Sequence, residues 1–264
     1  MFHDESLGKL VEETKGFLID LDGTLYVGDE LIAGAADFVH ALRTKGIPHA
    51  FVTNITSRCR AHVLARIEAY GLEIEPEQVL TAPIATKAYL DRQRIGSCYF
   101  LTRPTLVEDF AGHPQNEDEA EAVVIGDMGE TITFQHLNQA FRLLGKGAAF
   151  VTMSRSKFFR TKDGMTLDAG AFVALLEHAS DRRAIVTGKP SKDFFRAGLD
   201  LLDLPPSQVA MIGDDLESDV RGAQACGVAG LLVMSGKTTQ LPPSDSPVAP
   251  DGVCGSVSDL IRFL

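Results

Sequence analysis

The sequence predicts an α/β protein. Its core is a doubly wound, Rossmann-like parallel sheet, and a smaller α/β domain is inserted into it. Three observations carry that prediction. Short apolar runs alternate with amphipathic stretches of helical length along all 264 residues. Several of these runs end abruptly in clustered polar residues, as strands do where an α/β sheet opens onto a ligand. One pattern runs through residues 1–81 and returns over 181–264, and these two blocks are expected to form the core. Residues 82–180 repeat the alternation between them and are expected to form the inserted domain.

Taken in order, the short apolar run Phe17 to Ile19 reads as a buried parallel strand. Residues 25–32 suit a small hairpin turning at Gly28-Asp29. A helix is expected over 35–45, with Phe38, Val39 and Leu42 on one face and Gly46 as its stop. A strand is expected over 49–54, a helix over 57–70 closed by Gly71, and a short strand over 78–81. In the insert, strands are expected at 97–101, 122–125 and 148–152, and helices at 106–110, 133–144 and 171–178. Phe134, Leu137, Phe141 and Leu144 recur at helical spacing and read as core. Asp163-Gly164 marks a turn. An extended piece follows at 184–187, then a helix over 193–202, a buried strand at 209–212, a helix over 220–226 and a strand at 230–233. The proline-rich stretch 242–250 reads as loop, and 256–264 as a closing helix.

The formal net charge of −11 argues against nucleic acid or an anionic membrane as the main partner. A locally positive site for a phosphate ester is still compatible with it. No apolar run is long enough to span a bilayer. The polar stretch 1–15 does not read as a signal peptide. Cys59, Cys98, Cys226 and Cys254 are scattered, and no histidine spacing suggests a metal motif. They are expected to be reduced thiols of a cytoplasmic protein, not a disulfide framework or zinc site.

The chemistry lies in the strand ends. Asp20 and Asp22 follow the first strand at i and i+2, so a persisting strand would lean both to one face. Two close carboxylates repel unless one is protonated or a cation joins them, and Mg²⁺ is the natural cation for oxygen ligands. One carboxylate can serve as nucleophile and the other as acid and base. Gly23 permits a sharp turn. Thr53 and Asn54 end the second strand, Lys189 follows the extended piece at 184–187, and Asp214, Asp215 and Asp219 follow the strand at 209–212. Singly, these read as a turn, a helix cap and a solvated lysine. Together, on one sheet edge, they supply what phosphoryl transfer needs: a nucleophile, donors for phosphate oxygens, a cation and metal ligands.

The order and identity of these residues resemble the haloacid dehalogenase superfamily in its phosphatase branch. Its D-x-D-G-T motif is matched by Asp20, Asp22, Gly23 and Thr24. Its strand-ending Ser/Thr is matched by Thr53, with Asn54 after it. Its lysine is matched by Lys189 in Gly-Lys-Pro, and its G-D-x-x-x-x-D motif by Gly213, Asp214 and Asp219. The insert resembles the α/β cap of the class IIA, NagD-like branch. Within that branch the chain is most similar to the phospholysine phosphohistidine inorganic pyrophosphate phosphatase type.

The resemblance implies that Asp20 attacks phosphorus and that Asp22 protonates the leaving oxygen and then activates water. Gly23, Thr53, Asn54 and Lys189 would bind the phosphoryl oxygens with Asp20. Mg²⁺ would sit among Asp20, the Asp22 carbonyl and Asp214, with Asp219 and Asp215 supporting from outside. The expected substrate is a small phosphorylated metabolite, and a homodimer through the cap is left open. Phosphoramide or pyrophosphate hydrolysis is the rival activity, and a non-catalytic phosphate-binding or signalling module the rival class. Ile55, Ala33 and Met153-Ser154-Arg155 depart from common branch residues without touching the four motifs. Arg155, Lys157 and Arg160 stand out as basic in an acidic chain and are candidate substrate contacts in the cap.

Overall fold

A computed structural model describes residues 4–161, 164–241 and 247–264. In chain order the first block holds helix α1 (Asp4–Glu13), strands β1 (Gly16–Asp20), β2 (Tyr26–Val27) and β3 (Glu30–Leu31), α2 (Ala35–Thr44), β4 (His49–Thr53), α3 (Arg60–Ala69) and β5 (Val79–Thr81). The middle holds α4 (Ala82–Gln93), β6 (Cys98–Leu101), a 3₁₀ segment Pro104–Phe110, β7 (Ala122–Ile125), α5 (Phe134–Gly145), β8 (Ala149–Thr152), β9 (Phe158–Thr161), β10 (Gly164–Leu167), α6 (Ala169–Ser180) and β11 (Ile185–Val186). The last block holds α7 (Lys192–Leu202), β12 (Val209–Gly213), a π-helical turn Leu216–Arg221, α8 (Gly222–Gln224), β13 (Ala229–Val233), β14 (Gly252–Cys254) and a 3₁₀ segment Val257–Phe263.

The chain divides into two compact units. One comprises 1–53, 64–80 and 195–264; the other comprises 54–63 and 81–194. The first unit is built on a six-stranded sheet of order β14-β13-β12-β1-β4-β5. β1 pairs in parallel with both β4 and β12, and β12, β13 and β14 continue in parallel. Every residue of β1, β4 and β12 is buried. That explains their continuous apolar sequences, because a central parallel strand has no solvent face. The chain builds outward from β1 through β4 and β5, then returns to β12 and builds outward on the other side. β1 and β12 therefore flank the point where strand order reverses.

The second unit has a parallel sheet of order β11-β8-β7-β6. Side chains alternate across it. Tyr99, Leu101, Val123, Ile125 and Phe150 join one buried cluster with α5 and α6. Cys98, Ala122, Val124 and Val151 join another with Tyr89, Leu90, Leu106 and Phe110. Thr81 caps α4 by accepting the Ile84 N–H at 3.3 Å, a contact worth about 1 kcal/mol.

Two sequence expectations change here. The strand at 185–186 joins β8 of this second sheet, so Lys189 follows a strand of the second unit and not of the core sheet. The α5 stripe is also rotated. Ala140, Leu143 and Leu144 are buried, whereas Phe134 is 79% and Phe141 39% exposed. At about 100° per residue, Phe141 and Phe134 lie roughly 60° and 80° beyond Leu144, outside the arc that Ala140, Leu143 and Leu144 bury. The 242–250 stretch lies partly outside the described residues, as does Asp163 of the expected turn between β9 and β10.

Candidate active site

Asp20 closes β1 level with Val52 of β4, and Ile19 before it is level with Ile212 of β12. This register sets Asp20, Thr53 and the Gly213-Asp214 step on one edge of the first unit's sheet. Asp20, Thr53, Asp214 and Asp219 are all buried. One carboxylate oxygen from each of Asp20, Asp214 and Asp219 lies within 4.8 Å of the others. Three buried carboxylates so close repel, and an all-oxygen donor set of this charge fits Mg²⁺. Asp219 joins this set directly. The side chains of Asp22 and Asp215 do not. Asp215 pairs with Lys237 and accepts the Glu217 and Ser218 N–H groups at 2.9 and 3.2 Å. Those bonds hold its carboxyl below the usual range, against the effect of burial.

Glycine makes the close packing around Asp214 achievable. A Cβ at Gly23, whose φ is +90°, would lie 2.1 Å from Oδ2 of Asp214, and so would a Cβ at Gly236. The Lys237 N–H donates to that same oxygen at 2.5 Å, and Ser235 Oγ donates to the Gly23 carbonyl at 2.7 Å. Ser235, Gly236 and Lys237 were missed from sequence. Their signal was another apolar strand, β13, running into polar residues within two positions of its end.

Asp22 is exposed, yet partial desolvation raises its pKa, with Arg66 pulling it back. Arg66 lies 4.6 Å above the Tyr26 ring and donates to Tyr70 Oη at 3.2 Å and to the Gly28 carbonyl. It thereby ties the β2–β3 hairpin to α3 through cation–π and hydrogen-bond contacts. No sequence motif marked it.

In the second unit Lys189 is buried. The Asn54 side chain grips its backbone from both ends: Oδ1 accepts the Lys189 N–H at 2.7 Å, and Nδ2 donates to the Lys189 carbonyl at 2.9 Å. Thr187 is anchored to Thr86 at 2.6 Å and to the Thr152 carbonyl at 3.1 Å. Asn54 follows Thr53 directly in the chain, so residues expected to share one role are linked through a side-chain amide. Of the cap cluster, Arg155 pairs with the buried Glu177, which also accepts the Ala184 N–H at 2.9 Å. Lys157 is exposed, and the Arg160 side chain lies outside the described residues.

This fold recurs in solved structures. The chain is 29% identical to p-nitrophenyl phosphatase from Archaeoglobus fulgidus, with a TM-score of 0.89 over 95% of this chain and 99% of that one. With NagD from E. coli the TM-score is 0.86 at 25% identity, covering 93% and 97%. A core of this kind with an α/β cap defines a class of phosphatase-type hydrolases. A family model described as haloacid dehalogenase-like hydrolase matches residues 17–114, and a related model of that superfamily matches 186–260. The mouse haloacid dehalogenase-like hydrolase domain-containing protein 2 is 37% identical over 84% of this chain and 85% of its own. The zebrafish phospholysine phosphohistidine inorganic pyrophosphate phosphatase is 33% identical over 98% and 96%. The chain belongs to the haloacid dehalogenase-like hydrolases, in the class IIA, NagD-like branch. Among the described residues no helix is long and apolar enough to cross a membrane.

Proposed function

We propose that the protein is a Mg²⁺-dependent phosphatase of small phosphorylated metabolites that works through an aspartyl-phosphate on Asp20. The observation that carries this reading is the convergence of Asp20, Asp214 and Asp219, all buried, at the switch point of the sheet. Asp20, Asp214 and Asp219 would hold the ion, with the Asp22 carbonyl as a further oxygen. Bound there, it neutralises phosphoryl charge and lets carboxylate meet phosphate without repulsion.

The protein groups then divide the work. An Asp20 oxygen attacks phosphorus as the bond to the leaving oxygen breaks, and Asp22 gives that oxygen its proton. Water next attacks phosphorus, Asp22 takes the water's proton, and the bond to Asp20 breaks to release phosphate. The raised pKa of Asp22 suits the first of these steps. Thr53 and Lys189 bind the phosphoryl oxygens, with Lys189 held in place by Asn54. The insert, 82–180 by sequence, selects the substrate and excludes bulk water.

The test is hydrolysis of p-nitrophenyl phosphate before and after chelation. Loss on chelation with recovery on added Mg²⁺ is expected. Turnover that survives chelation, or that survives Asp20→Asn in a folded protein, refutes the reading.

A further inference from the structure

We propose that Cys59, His62 and Glu108 form a second metal site, for a borderline or soft divalent cation of the Zn²⁺ type. All three lie in the second unit and share no ligand with the acidic cluster. Cys59 immediately precedes α3, His62 lies in its first turn, and Glu108 comes from the 3₁₀ segment Pro104–Phe110. The Cys59 sulfur is 2.8 Å from Nδ1 of His62 and 2.5 Å from Oε1 of Glu108. One donor atom from each residue lies within 4.8 Å of the other two.

The surroundings suit a site open on one side. Cys59 belongs to the buried cluster with Leu106, Phe110 and Met153, while His62 and Glu108 are exposed. Sulfur forms the floor, and the solvent side is available to water as a fourth ligand. The framework is aligned independently of the three donors. Asp109, next to Glu108, accepts the Arg60 N–H at 2.9 and 3.2 Å, which sets the 3₁₀ segment against the start of α3.

The distances are near those a metal needs. Zinc–sulfur and zinc–nitrogen or zinc–oxygen bonds in a tetrahedron place S about 3.5 Å from N and from O, so the sulfur–nitrogen pair needs to open by about 0.7 Å and the sulfur–oxygen pair by about 1 Å. Exposed His62 and Glu108 can move that far by side-chain rotation.

Without metal, the thiol proton bridges to the Glu108 carboxylate. A metal ion replaces the proton: the S–H bond breaks, an S–metal bond forms, and the proton leaves to solvent. A thiolate donor selects Zn²⁺ or Co²⁺ over Mg²⁺ and Ca²⁺, so the two clusters discriminate between cations. The scattered cysteines concealed this arrangement because Glu108 lies 49 residues from Cys59.

Co²⁺ is the probe, added to the intact protein with Mg²⁺ in excess and a non-thiol reductant. A thiolate-to-cobalt charge-transfer band saturating at one equivalent is expected. Cys59→Ala should abolish it. His62→Gln and Glu108→Gln should each weaken Co²⁺ binding at least about 10-fold, with metal-free thermal unfolding unchanged. If Cys59→Ala does not fold, the two surface variants decide. No band in the wild type, a band surviving in Cys59→Ala, or wild-type affinity in either surface variant overturns the proposal.

Discussion

Both units are built on parallel sheets, and both sheets carry acids just beyond a strand end, yet the acids meet opposite fates. In the second unit Asp127 follows β7 by two residues. Its carboxylate takes the Arg103 guanidinium at 2.9 Å and the Gly129 N–H at 2.7 Å. That charge is locally matched, and it holds a loop. In the first unit Asp20, Asp214 and Asp219 crowd one another in a buried pocket of oxygens. The difference is one of grouping: a single acid beyond a strand end serves as a loop anchor, whereas three brought together make a donor set that, under the function proposed above, would hold a cation.

Substitutions can break this contrast, and the largest effect is expected at Asp20. Asp20→Asn should lower kcat by at least about 10³-fold with unchanged circular dichroism, because an amide cannot attack phosphorus. A variant keeping a tenth of wild-type activity would move the nucleophile elsewhere. Next come Asp214→Asn and Asp219→Asn. Each should raise the Mg²⁺ concentration for half-maximal rate by about 10–100-fold. A normal Mg²⁺ requirement in Asp219→Asn would return that residue to a supporting role.

Asn54→Ala tests the amide grip on Lys189. Misplacing a charged group by about 1 Å can cost about 10²-fold, so a fall in kcat/KM of about 10–100-fold is expected without global unfolding. The control is the matched acid of the second sheet. Asp127→Asn should leave kcat/KM within about twofold and cost about 1 kcal/mol or less in stability, since the Arg103 partner is 41% exposed.

The smallest effect concerns pH. Burial would raise the Glu177 carboxyl, but the Ala184 N–H and the Arg155 and Arg183 guanidinium groups outweigh it, so its pKa falls below the ordinary value. A depressed pKa adds stability that is present above the unfolded value and is lost as the pH falls through the folded one. Glu177→Gln should therefore lower Tm at neutral pH and converge with the wild type in acid. Arg155→Ala should reproduce that loss if Arg155 serves Glu177. A rise in KM confined to one substrate, with no change in Tm, would restore Arg155 as a substrate contact.

Much of the fold could be read in advance where local pattern and burial agree. β1, β4 and β12 announce themselves as unbroken apolar runs because both faces of each are covered. α4 escaped notice because its buried side is made of Ala82, Pro83, Ala85 and Thr86 as much as of Tyr89 and Leu90, which leaves no apolar stripe. α1 is short and acidic at its start, and β14 is three residues long.

The sequence by itself determined the chemical inventory and its order: Asp20 and Asp22, then Thr53, Lys189, and Asp214 with Asp219, each set by a strand end or turn whose signal spans a few residues. Such signals are local, arising from backbone sterics, side-chain alternation and glycine's freedom. Tertiary structure alone decided what those residues meet. It enlisted Asp219 beside Asp20 and Asp214, placed β11 in the second sheet, turned the Asn54 amide onto Lys189, and set Cys59 against Glu108. Each of these joins segments far apart in the chain. Strand pairing and register select such partners, and a two-residue run such as Ile185-Val186 carries no mark of the sheet it will join.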